Sequence, residues 1–314
     1  MGTTTGRASA ETLTVADLRG SAFRRRKEGW IRRLFLGAAA LSVVINVLIL
    51  TSLLDGTVDF LRSVDPSALW SAGWFPRRGL FDVKTIVAGT LLVSAIAMLV
   101  ATPLGLGAAM YLSEYASPRS RRRLKPVLEI LAGIPSVVMG YFALTWISPT
   151  LMQRFFDATS FNMGAAGIGV GILITPLVAS VAEDAMFAVP GSLREASYGL
   201  GASRRSTTVR VVFPGAVSGI VAALILGLSR AIGETLVVAI AAGATGGSLF
   251  SLDPTGPGQT MTAAMTALAT GSDQVKGASE AFPSLFFVGT LLFFMTLSLN
   301  LVSERFVRRV RRRY

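Results

Sequence analysis

The stretch VPGSLREASYGLGASRRSTTVRVVFP, Val189–Pro214, decides how the rest of the chain is read. It stands between two long apolar runs, yet it is polar and strongly patterned. Ser192 followed by Glu195 fits a capping box, which predicts a helix beginning at Leu193. Gly201 is placed to end that helix in the left-handed conformation. Ser203 can cap a second short helix, which Pro214 follows. A plain connector between helices needs only a handful of residues. The extra length predicts a compact helix–turn–helix built for docking.

Outward from this loop the sequence is apolar. Of its 314 residues 52% are hydrophobic and 15% charged. Several apolar runs approach or exceed the roughly 20 residues that cross a bilayer. Six spans are expected, at about 34–54, 85–112, 127–149, 163–185, 212–243 and 284–303. This predicts an all-α integral membrane protein. Its parts are a basic, disordered tail 1–33, a permease-like body 34–304 carrying the loop 186–214, and a second basic tail 305–314. The first apolar run is too long for a cleaved signal peptide.

The net charge of +12 follows from topology. Of 30 Lys and Arg, 23 fall in the two tails and the loops 113–126 and 186–211. Six fall on the other side and only Arg230 within a span. The positive-inside rule then places both termini in the cytoplasm, and no nucleic-acid partner is needed to explain the charge. The chain has no cysteine and no histidine. That excludes disulfides and thiol catalysis, and removes the commonest metal ligand and general base. No metal site is expected.

Smaller features fill in the bundle. Gly167 and Gly171 form a small-xxx-small pair that lets another backbone approach. Pro103, Pro135 and Pro176 each remove a backbone donor and can kink a helix. The outer segment 245–282 reads as a loop with one short helix near Thr260–Ala269.

One span carries two charges. Arg230 and Glu234 stand four residues apart, on one helical face. A charge at mid-membrane costs about 2.5–3.5 kcal/mol on insertion scales. The two can neutralise each other. Arg230 can also face a water-filled path and offer two parallel hydrogen bonds to a tetrahedral oxyanion, with Glu234 orienting it and moderating its pull. The two roles are compatible.

Three motifs bring a resemblance. Glu195-Ala196-Ser197, then Gly201, then Val211-Val212-Phe213-Pro214 resembles the coupling loop of ABC importer permeases, with Ser197 in place of an alanine. The string Arg230-Ala231-Ile232-Gly233-Glu234-Thr235 is similar to a motif of the phosphate (Pst-type) permeases. Leu128 to Gly140, containing Ile134-Pro135-Ser136-Val137-Val138, resembles a second, and Thr102–Gly105 with Tyr111–Tyr115 a third. The likeness covers roughly residues 85–310 and leans to the C-type of the two paired permeases. It implies a type I importer permease fold in a bacterial inner membrane and transport of phosphate. It further implies a second homologous permease, an ATPase dimer, an extracytoplasmic phosphate-binding protein and a phosphate-sensing regulator. The loop residues Glu195, Ala196, Ser197, Gly201 and Pro214 would dock the ATPase, and Arg230, Glu234, Thr235 and Ser136 would line the substrate path. The chain has no G-x-x-x-x-G-K-[ST] loop, so ATP would be used by a separate chain and no bond would be made or broken here.

Other residues carry blander expectations. Glu129 reads as interfacial, and Glu183 and Asp184 as surface partners of Arg194 or the ATPase. The basic runs Arg119–Lys125 and the C-terminal cluster are expected to meet anionic membrane lipids. Molybdate, tungstate and sulfate are also tetrahedral oxyanions, so an arginine alone does not choose among them. A membrane enzyme would need facing catalytic groups that the sequence lacks; a purely regulatory membrane protein is the remaining rival.

Overall fold

The computed structural model describes residues 22–243, 246–271 and 280–311. By contacts the chain divides into two units, Met1–Ser52 and Leu53–Tyr314. Helix α1 (Ala22–Ser63) runs through that boundary. In the first unit the consecutive Leu34, Phe35 and Leu36 are all exposed, as are Leu41 and Val44. A helix apolar on every face suits lipid. The span expected at 34–54 lies inside α1. The tail expected to be disordered, Met1–Gly20, lies outside the described residues.

In the second unit, α2 (Val83–Met110) runs into a wide π turn, Tyr111–Tyr115. Then come α3 (Pro118–Leu131), α4 (Ser136–Phe142, helical on to Phe156) and α5 (Met163–Phe187). Two short helices follow, α6 (Gly191–Gly199) and α7 (Arg204–Thr207). The chain continues through α8 (Val217–Ile232), α9 (Leu236–Ala241), α10 (Met261–Ala269) and α11 (Pro283–Arg311). Among the described residues four helices, α1, α2, α5 and α11, are long and apolar enough to cross a membrane. Two bent pairs bring the number to six when each pair counts as one span.

Those bends correct two expected spans. The third was placed at 127–149, but α3 ends at Leu131 and the chain turns by 86° before α4 starts at Ser136. Pro135 disfavours helical backbone at Ile134, and Gly133 is a poor helix former, so the helix cannot carry through. The fifth, 212–243, is broken twice. It bends by 72° near Ala216, just after Pro214, and opens again at Gly233–Thr235 between α8 and α9.

Helices α2 and α5 form the heart of the bundle. A Cβ on Gly171 would lie 2.7 Å from Val100 Cβ and 2.8 Å from the Ala97 carbonyl oxygen. One on Gly167 would lie 2.7 Å from Ile96 Cβ. The expected small-xxx-small pair thus sets the spacing of the two helices. Around it gather Val93, Ala97, Ala101, Val170 and Ile174, all buried. At one end, β1 (Gly73–Phe75), β2 (Leu80–Phe81) and β3 (Ser248–Leu249) form an antiparallel sheet in the order β2-β1-β3, with Trp74 opposite both Phe81 and Ser248. The sheet shares a second core, Phe60, Trp74, Phe81, Ile86, Met261 and Leu268, with α10. That helix starts as expected, at the cap Thr260, whose hydroxyl accepts from the Ala263 N–H.

Candidate functional site

The break Gly233–Thr235 falls at the charged pair. Arg230 sits in the last turn of α8, and Glu234 lies beyond the helix end, in the gap. Glycine at 233 weakens the helix there. Arg230 Nη1 stands 3.1 Å from Glu234 Oε2, and the side chains are 51% and 2% exposed respectively. The buried carboxylate therefore holds one end of a guanidinium whose side chain is half exposed. Glu234 has three further ties. Its N–H donates to the Ala231 carbonyl of α8 at 3.2 Å. Its Oε1 accepts from the Val237 N–H at 3.5 Å, at the start of α9, and its carbonyl accepts from Thr262 Oγ1 of α10 at 2.7 Å. The pair stands at a discontinuity: Arg230 belongs to α8, while Glu234 bridges the end of α8 to α9 and α10.

Of the other path candidates, Thr235 is adjacent and its hydroxyl donates to the Gly233 carbonyl at 3.3 Å. Ser136 is the first residue of α4, which packs against α9; it is half-buried and bonds to neither charge. The structure brings Arg230, Glu234 and Thr235 together, and leaves Ser136 one helix away.

The loop Val189–Pro214 forms the expected helix pair, with one correction. The first helix starts at Gly191 behind Pro190, with no side-chain cap, so Ser192 and Glu195 make no capping box. Pro190 enters with extended ψ (134°) and leaves Ser192 inside the first turn. The far end matches expectation: Gly201 has φ +77°, its N–H donates to the Tyr198 carbonyl, and the Ala202 N–H donates to that of Ser197. These two bonds make a Schellman cap. Ser203 caps α7 through the Ser206 N–H, and Ser197 Oγ meets Thr207 Oγ1 at 2.9 Å, pinning α6 to α7. Glu195 and Ala196 are exposed, while Pro214 is half-buried in the turn that leads to α8. Beside Glu195 the pair exposes Leu193, Tyr198 and Leu200, the last at 90%. These side chains form an exposed apolar knob.

Two ion-pair systems fix this end of the bundle. Arg194 of α6 reaches the buried Glu114 in the π turn after α2, with Nη2 2.9 Å from Oε1 and Nε 3.3 Å from both oxygens. It also donates to the Met186 and Val189 carbonyls at 2.8 and 2.5 Å, satisfying the open end of α5. Sequence reading missed this hub, because its partners lie 80 residues apart. Glu183 and Asp184 were expected as surface partners of Arg194. Instead Glu183 is fully buried and held by Arg121 and by Lys125 (2.8 Å), while Asp184 pairs with Lys125 at 2.5 Å. Burial pulls the Lys125 pKa down, but hydrogen bonds to Asp184 and Glu183 outweigh it and the net shift is upward. Arg121 also stacks over Phe187, 3.7 Å from its centroid. Glu129 is exposed on α3. Among the described residues no cluster of acidic side chains suits a metal.

Comparisons with known proteins agree with this geometry. The chain is 34% identical over 242 residues to the probable ABC transporter permease protein YqgH of Bacillus subtilis, covering 75% of this chain and 78% of that one. It is 30% identical over 284 residues to the phosphate transport system permease protein PstC of Pasteurella multocida, covering 84% and 87%. Among solved structures it is similar to a subunit of a bacterial alginate ABC transporter in complex with a pentasaccharide-bound periplasmic protein, with TM-score 0.62, 16% identity, and 92% and 98% of the two chains covered. The inward-facing MetNI methionine ABC transporter is similar too, with TM-score 0.52, 19% identity, and 72% and 93% covered. At those identities the likeness speaks for the fold, that of an ABC type I importer permease. Residues 101–314 match the model of the binding-protein-dependent transport system inner membrane component, and the chain belongs to that family of membrane permeases.

Proposed function

We propose that the chain is the membrane-spanning permease subunit of an ATP-driven phosphate importer, forming half of the translocation path. The observation that carries this is the half-exposed Arg230 held from behind by buried Glu234 at a break in a span. A guanidinium has five donors in a fixed fork, and the one Glu234 faces leaves others for an oxyanion. The carboxylate keeps the fork oriented and lowers its affinity, so a passing phosphate is met and released. The PstC relatives supply the substrate: they are phosphate permeases by name.

The remaining parts follow from the same reading. The chain pairs with a second, homologous permease and with an ATPase dimer that seats the exposed α6–α7 knob; an extracytoplasmic binding protein delivers phosphate. ATP is hydrolysed on the partner, and this chain is conduit and lever without chemistry of its own. Both termini are cytoplasmic, with basic tails at 1–33 and 305–314 flanking a membrane body at 34–304; this is the orientation that the lysine and arginine count supports. A phosphate-sensing regulator reads the same complex. Arg230 rides on α8, while Glu234, bonded to the end of α8, is also restrained by α9 and α10, so on this reading bending at the break alters the geometry of the pair.

The test is uptake of radiolabelled phosphate at micromolar concentration by cells lacking this chain and cells with it restored. Excess unlabelled molybdate or sulfate is the competitor. Uptake that returns with the chain and ignores both competitors supports the reading. Uptake unchanged by the chain, in cells with no second high-affinity system, or abolished by a competitor, sends the substrate to the other oxyanions.

A further inference from the structure

Helix α3 has three faces, and the transport reading uses none of them. One is fixed: Arg121 and Lys125 hold Glu183 and Asp184 at the end of α5. A second is polar and exposed, with Arg122 and Glu129. The third is apolar and uncovered: Leu124, Val127, Ile130 and Leu131 are 40%, 49%, 73% and 42% exposed. At 100° per residue these four fall within one third of the helix circumference. Arg119 and Arg123, both exposed, stand one turn apart and lead into Val127 and Ile130: Arg119 borders that face, and Arg123 lies within its angular range one turn before Val127.

The orientation of α3 says what such a face meets. It stands at 86° to the spanning helix that starts at Ser136. When that helix crosses the bilayer, α3 lies parallel to the membrane surface. Its clamp to Glu183 and Asp184 holds it level with the end of α5, a few residues before the docking pair. A helix in the interface plane, with aliphatic side chains on one face and arginines at its border, buries the first among acyl chains and aims the second at headgroup phosphates.

We infer that α3 is an in-plane membrane helix whose Arg119 and Arg123 bind anionic phospholipid headgroups at the cytoplasmic leaflet, with Leu124, Val127, Ile130 and Leu131 seated in the acyl region. Each arginine at such a surface favours anionic over zwitterionic lipid by roughly fivefold. The assignment rests on the cytoplasmic placement of the loops and is independent of the substrate.

The test uses the complete complex with its partner chains, in vesicles of phosphatidylcholine mixed with phosphatidylglycerol. The chain has no native cysteine, so Ile130→Cys and Arg122→Cys each give one nitroxide site on it. The label at 130 is expected to be relaxed by oxygen and shielded from an aqueous nickel chelate, and the label at 122 to show the reverse. Mass spectrometry of lipid retained by the purified complex is expected to show phosphatidylglycerol enrichment, falling about tenfold or more in Arg119→Gln/Arg123→Gln, with partner chains still bound. A label at 130 open to the chelate, or shielded from both reagents as by a protein partner, overturns the placement. Enrichment unchanged in the double variant overturns the headgroup contact. Neither readout involves phosphate, so either can fail while the transport reading stands.

Discussion

Removing the Arg194 side chain should leave Glu114 buried without its arginine, with the Ser113 hydroxyl still donating to its Oε1 at 2.8 Å. Glu114 is 3% exposed and Arg194 19%, so the pair is screened little by water. Breaking a buried pair from one side costs roughly 3–5 kcal/mol. Because Arg194 keeps some contact with solvent, about 3 kcal/mol is the appropriate end for Arg194→Ala, or roughly a hundredfold in a folding equilibrium. Most of that cost is the stranded carboxylate. Neutralising it should therefore recover part of the loss: Glu114→Gln/Arg194→Ala is expected to be more stable than Arg194→Ala, although it carries one more change. The recovery stays incomplete, because the Met186 and Val189 carbonyls also lose their donor. The assay is thermal unfolding of the purified complex in detergent at one fixed scan rate. The expected order is wild type, double variant, Arg194→Ala. A double variant no more stable than Arg194→Ala would refute the account, since Glu114 could not then have been held charged and dry by that arginine.

Arg230→Ala should abolish phosphate uptake while the complex still assembles, and Arg230→Lys, which keeps the charge but loses the fork, should transport with affinity weakened by about tenfold; normal uptake by the alanine variant would remove Arg230 from the path. Glu195→Lys combined with Leu200→Asp should detach the ATPase in pull-down or uncouple hydrolysis from uptake, because both act on the exposed face of the α6–α7 pair; intact coupling would count against the docking role. Gly171→Leu should cut the monodisperse yield of detergent-extracted protein, since even its Cβ would lie 2.7 Å from Val100, whereas Gly107→Leu, which meets nothing within 4 Å at its Cβ, should leave the yield near wild type; equal yields would mean that α2 and α5 do not depend on that glycine.

What could be read from the sequence was local. The helix pair, the left-handed Gly201, the Ser203 cap and the short helix near Thr260–Ala269 each depend on residues within a few positions of one another. The apolar runs were equally visible, because hydropathy reports composition. It does not report direction. The run from Val127 to Pro149 reads as one apolar stretch, yet its first residues end α3 and the rest belong to a helix at 86° to it. Pro135 marked the place; only the backbone showed a turn rather than a kink. Burial of charge was invisible for another reason. Glu183 meets Lys125 across 58 residues and Glu114 meets Arg194 across 80, and no local pattern encodes such partners. Ser192 shows how a local signal fails: the capping residues were present, but Pro190 set the entry to the helix two positions early.

The same accounting explains why the candidate site sits where it does. An unbroken fifth span would place Arg230 and Glu234 on one rigid rod, four residues apart, where no motion could separate them. The break at Gly233–Thr235 ends α8 between them: Glu234 keeps a backbone bond to Ala231 of α8 but is also held by α9 and α10. Helix α8, 16 residues and so about 24 Å long, carries Arg230 at one end. At its other end it receives the chain from α7, through a π turn and the bend at Ala216. Glu234 is held by α10, which belongs to the outer cap and its core. On the transport reading proposed above, a displacement entering at α6–α7 would reach the arginine along α8, while the carboxylate is restrained by α9 and α10 as well. Glu234 would compete with an anion for one guanidinium, so moving α8 would alter how much of that guanidinium an anion can claim. A path built on an intact helix would bind its anion with one fixed strength, and the two breaks in this span would let that strength change.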